Sequence, residues 1–310
     1  MSLACIFPGQ GSQSIGMMSG LYETYSIVQD AFTEASDALG FNLWDLIRSG
    51  PEDVLNKTDN TQPAMLTSGV ACWRAWQSEG GQLPVSMAGH SLGEYTALVC
   101  AGALDFADAV KLVAERGRLM QAAVPEGQGA MAAILGLDDE TVRSVCDESA
   151  DEQVVQAVNF NAPGQVVIAG DAEAVERAIE QAKAAGAKRA LKLPVSVPSH
   201  CSLMRPAADK LNAYMNDVVF NVPEIPVLHN VTVRSSNKTE DLRQALVEQL
   251  YSPVRWVETI QTFSTEGLSH VIELGPGKVL TGLNKRIDKT LATLPVFDSA
   301  SLQAAIEAVS

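Results

Sequence analysis

Residues 84–101 pass directly from a short apolar run, through a turn bounded by glycines, into a helical pattern. The turn is Gly89-His90-Ser91-Leu92-Gly93, a G-x-S-x-G sequence. Between a strand and a helix, this sequence is typical of a nucleophile elbow, in which glycines permit an abrupt turn and leave the serine hydroxyl exposed at a strained tip. The amide of Leu92 and the N-terminal end of the helix would then face a developing oxyanion. The segment predicts an α/β fold with Ser91 as a candidate nucleophile.

A serine nucleophile needs a general base, and the chain has four histidines. His200 lies in PVSVPSHCSLM, a proline-containing corner before a helix, from which an imidazole could point into a cleft. His90 is adjacent to the serine, and neighbouring side chains diverge. His229 and His270 lie in apolar runs, where a half-buried structural histidine is the simpler interpretation, and Cys201 is expected to be a buried, inert thiol. The sequence therefore favours His200 as the base.

Strand and helix patterns alternate along most of the chain, as they do in α/β proteins. A first strand at Leu3–Phe7 precedes a helical pattern at Leu21–Leu39 that ends at Gly40. A further helix is predicted over 62–79, with Pro63 in its first turn.

Residues 127–197 have a different pattern, in the order βαββαβ. This order is typical of a ferredoxin-like module. We therefore predict a large α/β domain of residues 1–126 and 198–310, with an inserted ferredoxin-like small subdomain of residues 127–197.

Composition excludes several classes of protein. The 310 residues carry 22 Lys and Arg against 37 Asp and Glu, for a formal charge of −15. This charge argues against nucleic acid or an anionic membrane as the main partner, because both attract cationic surfaces. The chain has no apolar run long enough to span a membrane, no signal-peptide pattern and no CxxC spacing among its five cysteines. We expect a cytoplasmic protein without a disulfide framework or a metal site.

A second glycine-rich turn, from Pro8 to Ser14, follows the first strand and could suggest a phosphate-binding loop. A dinucleotide fingerprint needs glycine at Ser14, and the Walker spacing that begins at Gly11 is followed by Met17 instead of lysine. The turn is therefore predicted to present closely spaced amides to an anion or oxyanion. Residues 273–280, ELGPGKVL, fail the same tests and are predicted to be a strand-to-helix turn.

Five segments occur in order along the chain: GQGSQ at 9–13, GHSLGEY at 89–95, ERGRLMQ at 115–121, PVSVPSHCSLM at 194–204 and ELGPGKVLTGL at 273–283. Together they resemble the bacterial malonyl-CoA:acyl carrier protein transacylases of fatty acid synthesis, and the resemblance covers nearly the whole chain. It implies a hydrolase-like α/β domain with a parallel sheet, carrying the ferredoxin-like subdomain, with the active site in the cleft between them.

The resemblance also implies a role for individual residues. Ser91 would be the acyl-accepting nucleophile, and His200 would be its general base and then its acid. The backbone amides of Gln10 and Leu92 would form the oxyanion hole. The backbone carbonyl of Gln249 would orient His200, so that no aspartate is needed.

Arg116, in ERGRLMQ, is implied to bind the free carboxylate of a malonyl group through its planar, bidentate fork. Its helical setting also permits a simpler interpretation, a surface ion pair with Glu115 or Asp108. If Arg116 is buried, a substrate without a carboxylate would leave its charge unpaired and should be disfavoured.

The implied reaction transfers a malonyl group from malonyl-CoA to the phosphopantetheine thiol of acyl carrier protein, through a malonyl-serine ester and with ping-pong kinetics. No metal or redox cofactor is expected. Basic residues of the small subdomain and of the large domain are predicted to dock the acidic carrier protein. The candidates are Lys188, Arg189, Lys285 and Arg286.

Two other functions use the same residues. A thioesterase or carboxylesterase would share the elbow but admit water, and could employ Asp171 as a third triad member, although Asp171 is more simply a helix cap. A noncatalytic acyl-binding or scaffolding protein would retain an inert elbow. Adduct formation with malonyl-CoA, and hydrolysis without an acceptor thiol, separate these alternatives.

Overall fold

The computed structural model describes residues 2–195 and 197–310, so Ser196, within the segment at 194–204, lies outside the described residues. The described residues form a mixed α/β structure with one parallel sheet and one separate antiparallel sheet. The strands are β1 (Leu3–Phe7), β2 (Ser86–Gly89), β3 (Gly129–Leu135), β4 (Val155–Ala162), β5 (Gln165–Asp171), β6 (Arg189–Lys192), β7 (Val227–Leu228), β8 (His270–Leu274) and β9 (Ala292–Val296). The helices are α1 (Ser19–Thr24), α2 (Ser26–Leu39), α3 (Leu43–Ser49), α4 (Glu52–Leu55), α5 (Thr58–Ser78), α6 (Leu92–Cys100), α7 (Phe106–Ala123), α8 (Asp139–Ala150), α9 (Ala172–Ala184), α10 (Arg205–Tyr214), α11 (Thr239–Gln249), α12 (Trp256–Thr265), α13 (Val279–Ile287) and α14 (Ser299–Val309).

The parallel sheet has the strand order β7-β2-β1-β8-β9, with β1 at its centre. Successive side chains of a strand point to opposite faces, and both faces of β1 are buried. Leu3, Cys5 and Phe7 belong to the core that also contains residues of α2, α5, α6 and α7. Ala4 and Ile6 belong to the core on the opposite face, with residues of α12 and α13. Helices therefore cover both faces, as a parallel sheet of short apolar strands requires.

The carboxyl ends of these parallel strands meet at one edge of the sheet. In the register of β1 and β2, Phe7 lies opposite Gly89. The loops that leave this edge carry Gln10 after β1, Ser91 after β2 and Asn230 after β7. Crevices at such an edge are where open α/β sheets bind ligands.

The antiparallel sheet has the order β4-β5-β3-β6. Its elements follow the chain order predicted from sequence, β3-α8-β4-β5-α9-β6. One face packs against α8 and α9. The other face packs against Cys201, the residue after His200. The sheet also joins the parallel part through hydrogen bonds from Phe160 N to Val254 O (3.0 Å) and from Val254 N to Val158 O (2.8 Å).

Two helices differ from the sequence predictions. The pattern at Leu21–Leu39 is divided between α1 and α2, because Tyr25 has an extended backbone. The helix predicted over 62–79 begins earlier, at Thr58, so Pro63 lies inside it and not in its first turn. The added turn is polar and has no apolar helical pattern, although tertiary contacts bury Thr58 itself.

Candidate active site

The turn between β2 and α6 depends on both glycines of the G-x-S-x-G sequence. A Cβ atom on Gly89 would lie 1.8 Å from the carbonyl carbon of Gly93, and one on Gly93 would lie 2.0 Å from the carbonyl oxygen of Phe7. Ser91 itself has φ 52° and ψ −109°, a left-handed φ that L residues rarely adopt. Close packing around the turn thus holds Ser91 in a strained conformation, as predicted for an elbow.

His200 contacts Ser91 directly, although the two residues lie 109 positions apart. Ser91 Oγ and His200 Nε2 are 2.7 Å apart. His200 Nδ1 lies 2.7 Å from the carbonyl oxygen of Gln249, which can only accept, so Nδ1 carries the proton and Nε2 accepts from the serine hydroxyl. This tautomer is the one that a general base for Ser91 requires.

The imidazole of His200 is held in a buried loop. His200 is 3% exposed, has φ 67° and donates its backbone N–H to Leu250 O at 2.9 Å. Burial and, second, the nearby Arg116 cation lower the pKa of His200 from 6.5 to about 3. The resting imidazole is therefore neutral, with its Nε2 lone pair directed at the serine hydroxyl.

Arg116 is buried beside this pair. The residue is 1% exposed, and its Nη2 lies 3.4 Å from Ser91 Oγ. Nη1 donates to Gln62 Oε1 at 2.9 Å and Nη2 donates to Gln249 Oε1 at 3.0 Å, while the ring of Tyr95 lies 5.3 Å from the guanidinium carbon. The Nε atom is buried and has no partner among the described residues. The guanidinium is thus held by neutral groups.

The alternative of a surface ion pair for Arg116 is wrong. Glu115 pairs with Arg118 and Asp108 pairs with Lys111. Within residues 2–195 and 197–310, no carboxylate forms an ion pair with Arg116. Burial lowers the pKa of Arg116 below its usual value, but a guanidinium remains charged in proteins. An anionic group placed near Ser91 would therefore meet a buried cation.

Leu92 lies within the elbow, and Gln10 lies on the neighbouring turn after β1. Leu92 is the first residue of α6, so its N–H is not used by the hydrogen bonds of the helix. Gln10 follows Gly9, where a Cβ atom would lie 2.5 Å from the carbonyl oxygen of His90. The glycine-rich turn after β1 therefore packs directly against the turn that carries Ser91.

The other histidines and Asp171 lie outside the pair. His90 Nε2 contacts Asn161 Oδ1 at 2.8 Å, and His229 is buried with its Nδ1 2.8 Å from Glu94 Oε1. His270 is half-buried at the start of β8. Asp171 precedes α9 but accepts from Val154 N at 2.7 Å and makes no side-chain cap, so its expected capping bond is absent among the described residues. It is not the third member of a triad, because Gln249 O occupies His200 Nδ1.

The predicted docking residues are only partly brought together. Lys188, Arg189 and Arg286 line one open groove between the antiparallel part and α13. Arg286 also donates to Pro163 O at 3.2 Å and to Gln165 Oε1. Lys285 is exposed but does not line this groove.

The sequence matches the acyl transferase domain family over residues 4–299. The chain belongs to this family. It is 57% identical over 304 residues to the malonyl CoA-acyl carrier protein transacylase of Escherichia coli (strain K12), covering 98% of each chain. An acyl carrier protein S-malonyltransferase structure from Vibrio cholerae aligns with TM-score 0.96 and 56% identity, covering 98% of this chain and 99% of that chain. A malonyl-transacylase in complex with a type II PKS acyl-carrier protein aligns with TM-score 0.98 and 56% identity, covering 99% and 100%.

The predicted resemblance is therefore confirmed for this acyl transferase. Sequence reasoning missed several buried polar residues of its site. Asn230 accepts from Ser91 N at 2.7 Å and donates to Gly89 O at 2.6 Å, bridging the elbow. Glu94 and Gln62 are also buried in the network around Arg116 and Gln249. Only the position of Glu94, one turn after the serine, could have indicated it.

In the described part of this acyl transferase, none of the helices combines the length and apolarity needed to cross a membrane. All five cysteines lie among the described residues, and none of them is paired there. Cys201 is buried, and burial raises its pKa to about 12, so its thiol is predominantly protonated near neutral pH, as expected for an inert residue.

Proposed function

We propose that this acyl transferase moves a malonyl group from malonyl-CoA to the phosphopantetheine thiol of acyl carrier protein. The observation that carries the proposal is the position of Arg116, which is buried, forms no ion pair with a carboxylate of the described residues and lies 3.4 Å from Ser91 Oγ. That hydroxyl is in turn hydrogen-bonded to His200. A serine–histidine pair alone suits any acyl group, whereas a buried cation favours an acyl group with its own carboxylate. The names of the relatives agree with this substrate and acceptor.

In the first half-reaction, His200 Nε2 takes the proton of Ser91 Oγ as that oxygen bonds to the thioester carbonyl carbon. The carbon–sulfur bond then breaks, and Nε2 returns the proton to the departing CoA sulfur. The product is a malonyl ester of Ser91. The Gln249 carbonyl stabilises the transient imidazolium through its bond to Nδ1.

In the second half-reaction, the phosphopantetheine thiol gives its proton to His200 Nε2 and its sulfur bonds to the ester carbonyl carbon. The bond from that carbon to Ser91 Oγ breaks, and Nε2 returns the proton to the serine. Malonyl carrier protein leaves, and the enzyme returns to its starting state. Because the first product leaves before the second substrate reacts, the kinetics would be ping-pong.

Both tetrahedral intermediates carry an oxyanion. We assign its stabilisation to the backbone N–H groups of Leu92 and Gln10, helped by the N-terminal end of α6. The packing of Gly9 against the His90 carbonyl supports this assignment, because it keeps the turn of Gln10 beside Ser91.

The malonyl carboxylate would bind the guanidinium of Arg116 in bidentate fashion. This pairing would also act on His200. The Arg116 cation is one of the causes that lower the pKa of His200, so a bound carboxylate would offset it and make the imidazole a stronger base. Substrate binding would thus improve the base only when the acyl group carries a negative charge.

The carrier protein is proposed to dock on the basic surface that includes Lys188, Arg189 and Arg286, and this proposal is supported by their shared groove. Lys285 is exposed outside the groove, and we propose that it contacts the carrier protein at the edge of this surface. We also propose that the antiparallel part is the ferredoxin-like subdomain of residues 127–197, inserted in a hydrolase-like domain of residues 1–126 and 198–310. Its βαββαβ chain order supports the description. A cytoplasmic location and the absence of a metal or redox cofactor stay predictions.

Mass spectrometry after mixing the enzyme with malonyl-CoA tests the proposed function. We expect a malonyl adduct on Ser91 that disappears when holo acyl carrier protein is added, and no adduct on Ser91→Ala. Ser12→Ala is a matched control, because Ser12 lies on the neighbouring glycine-rich turn and has no proposed role. Rapid release of malonate without an acceptor thiol would indicate a thioesterase, and no adduct at all would indicate a noncatalytic protein.

A further inference from the structure

Glu94 is a completely buried carboxylate in the first turn of α6, three residues after Ser91. Its Oε1 accepts from His229 Nδ1 at 2.8 Å. Its Oε2 accepts from Asn230 N at 3.0 Å and from Gln249 Nε2 at 2.7 Å. A buried carboxylate is tolerated only with such donors. None of these donors belongs to α6, so Glu94 joins α6 to two other segments instead of capping its own helix.

Gln249 connects Glu94 to Arg116. Its Nε2 donates to Glu94 Oε2 and to Ser91 O, the latter at 3.0 Å. Its Oε1 accepts from Arg116 Nη2 at 3.0 Å. A guanidinium has donors and no acceptor, so the reversed amide would place NH2 against the guanidinium of Arg116 and C=O against the carboxylate of Glu94. Only one orientation of the Gln249 amide satisfies both charged neighbours.

Glu94 makes no ion pair with Arg116 among the described residues. It therefore orients the guanidinium only through the hydrogen bonds of the Gln249 amide. The two hydrogen bonds from Arg116 Nη1 and Nη2, to Gln62 and Gln249, aim the guanidinium at the space beside Ser91 Oγ. If the amide of Gln249 rotated, one of these two supports would be lost. The guanidinium could then turn away from the acyl group.

We propose that Glu94 is a positioning residue that sets the preference for a carboxylate-bearing acyl group by fixing the Gln249 amide and, through it, Arg116. The inference rests on the proposed function, because it concerns selection between malonyl and acetyl groups at Ser91. It assigns Glu94 no contact with substrate.

The test compares kcat/KM for malonyl-CoA and acetyl-CoA in Glu94→Ala and Glu94→Gln. Glu94→Ala removes one of the two acceptors of Gln249 Nε2 and leaves only Ser91 O, so the amide is held less firmly and the malonyl-to-acetyl preference should fall by about tenfold. In Glu94→Gln, an amide oxygen can still accept from Asn230 N and Gln249 Nε2, while its NH2 faces a His229 that can adopt its other tautomer. This variant should keep the preference within about twofold of wild type. A loss in Glu94→Gln as large as that in Glu94→Ala overturns the proposal.

Glu273 provides a matched control. It is equally buried and accepts from Leu280 N, Thr281 N and Thr281 Oγ1 at 3.0, 2.7 and 2.6 Å. Glu273→Ala and Glu94→Ala should both lower Tm, but Glu273→Ala should leave the malonyl-to-acetyl preference within about twofold of wild type. An equal fall in preference for both variants would show a general effect of losing a buried carboxylate and would overturn the proposal.

A double-mutant cycle locates the effect. In an Arg116→Ala background, Glu94→Ala should cause no further change in the malonyl-to-acetyl preference, because its target is gone. An independent loss in the double variant, or an unchanged preference in folded Glu94→Ala, overturns the inference. If Glu94→Ala does not fold, Glu94→Asp withdraws the carboxylate by one methylene while keeping its charge, and the same fall in preference is required. Absence of a malonyl adduct in wild type instead overturns the proposed function and this inference together.

Discussion

Replacement of Arg116 by alanine tests whether the buried guanidinium selects a carboxylate on the acyl group. The variant removes a cation that lies 3.4 Å from Ser91 Oγ and has no carboxylate partner among the described residues. The Ser91–His200 contact at 2.7 Å and the carbonyl of Gln249 behind it do not depend on this side chain. We therefore expect malonyl transfer to fall and transfer of an uncharged acetyl group to persist.

The expected size follows from the burial of Arg116. Removing one partner of a buried charge pair costs about 3–5 kcal/mol. Since about 1.4 kcal/mol corresponds to a factor of ten, kcat/KM for malonyl-CoA should fall by on the order of 10²- to 10⁴-fold. Acetyl-CoA loses no ion pair and no longer leaves a buried cation unpaired. Its kcat/KM should stay within about twofold of wild type, or rise.

The assay measures kcat/KM for both thioesters with holo acyl carrier protein as acceptor. Arg118→Ala is the matched control, because Arg118 lies two residues further along α7 in an exposed pair with Glu115. Thermal unfolding checks that Arg116→Ala is folded, since Gln62 and Gln249 each lose a partner in it. A folded variant whose malonyl-to-acetyl preference stays within about twofold of wild type refutes the assigned role.

Three further predictions concern pH, packing and docking. Because the pKa of His200 is lowered to about 3, the unfolded chain binds a proton below pH 6.5 that the folded chain does not. The contribution of His200 to the free energy of unfolding should therefore fall by about 1.4 kcal/mol per pH unit as the pH drops from 6.5 towards 3. In urea denaturation, the free energy of unfolding of His200→Gln should fall less steeply over this range. Gly93→Ala should lower Tm strongly, because its Cβ would lie 2.0 Å from a carbonyl oxygen. Gly282→Ala, in open space on α13, should raise Tm slightly, and an equal response of the two would contradict the packing argument. Reversing Lys188 and Arg189 to Glu should raise the KM for carrier protein but leave the rate of malonyl-adduct formation unchanged, and an unchanged KM would refute the proposed dock.

Patterns within short stretches of sequence predicted much of the fold. The strand Leu3–Phe7 and the βαββαβ order after residue 127 were correct, because apolar periodicity reflects which face of each element is buried. The start of α5 was missed, since residues 58–61 are polar and only tertiary contacts make them helical and bury Thr58. The break between α1 and α2 at Tyr25 was missed because the apolar spacing of the sequence continues through it.

The sequence by itself predicted Ser91 as the candidate nucleophile and determined its setting between a strand and a helix. A serine between two glycines, after a short apolar strand and before a helix, predicts an elbow because each requirement lies within a few residues. The loop position of His200 made it the favoured base for the same local reason. The family resemblance then supplied roles for Arg116, Gln10 and Gln249.

Only the tertiary structure decided which groups meet around that serine. Whether Arg116 formed a surface ion pair or a buried cation depended on α5 and on Gln249, which are distant from it in sequence. Asn230 gave no distinctive signal, and Glu94 gave only its position one turn after the serine, because a polar residue in a helix or loop is normally solvated. Their contacts arise from burial, since a charge or amide removed from water must find partners, and those partners come from segments that only the folded chain brings together.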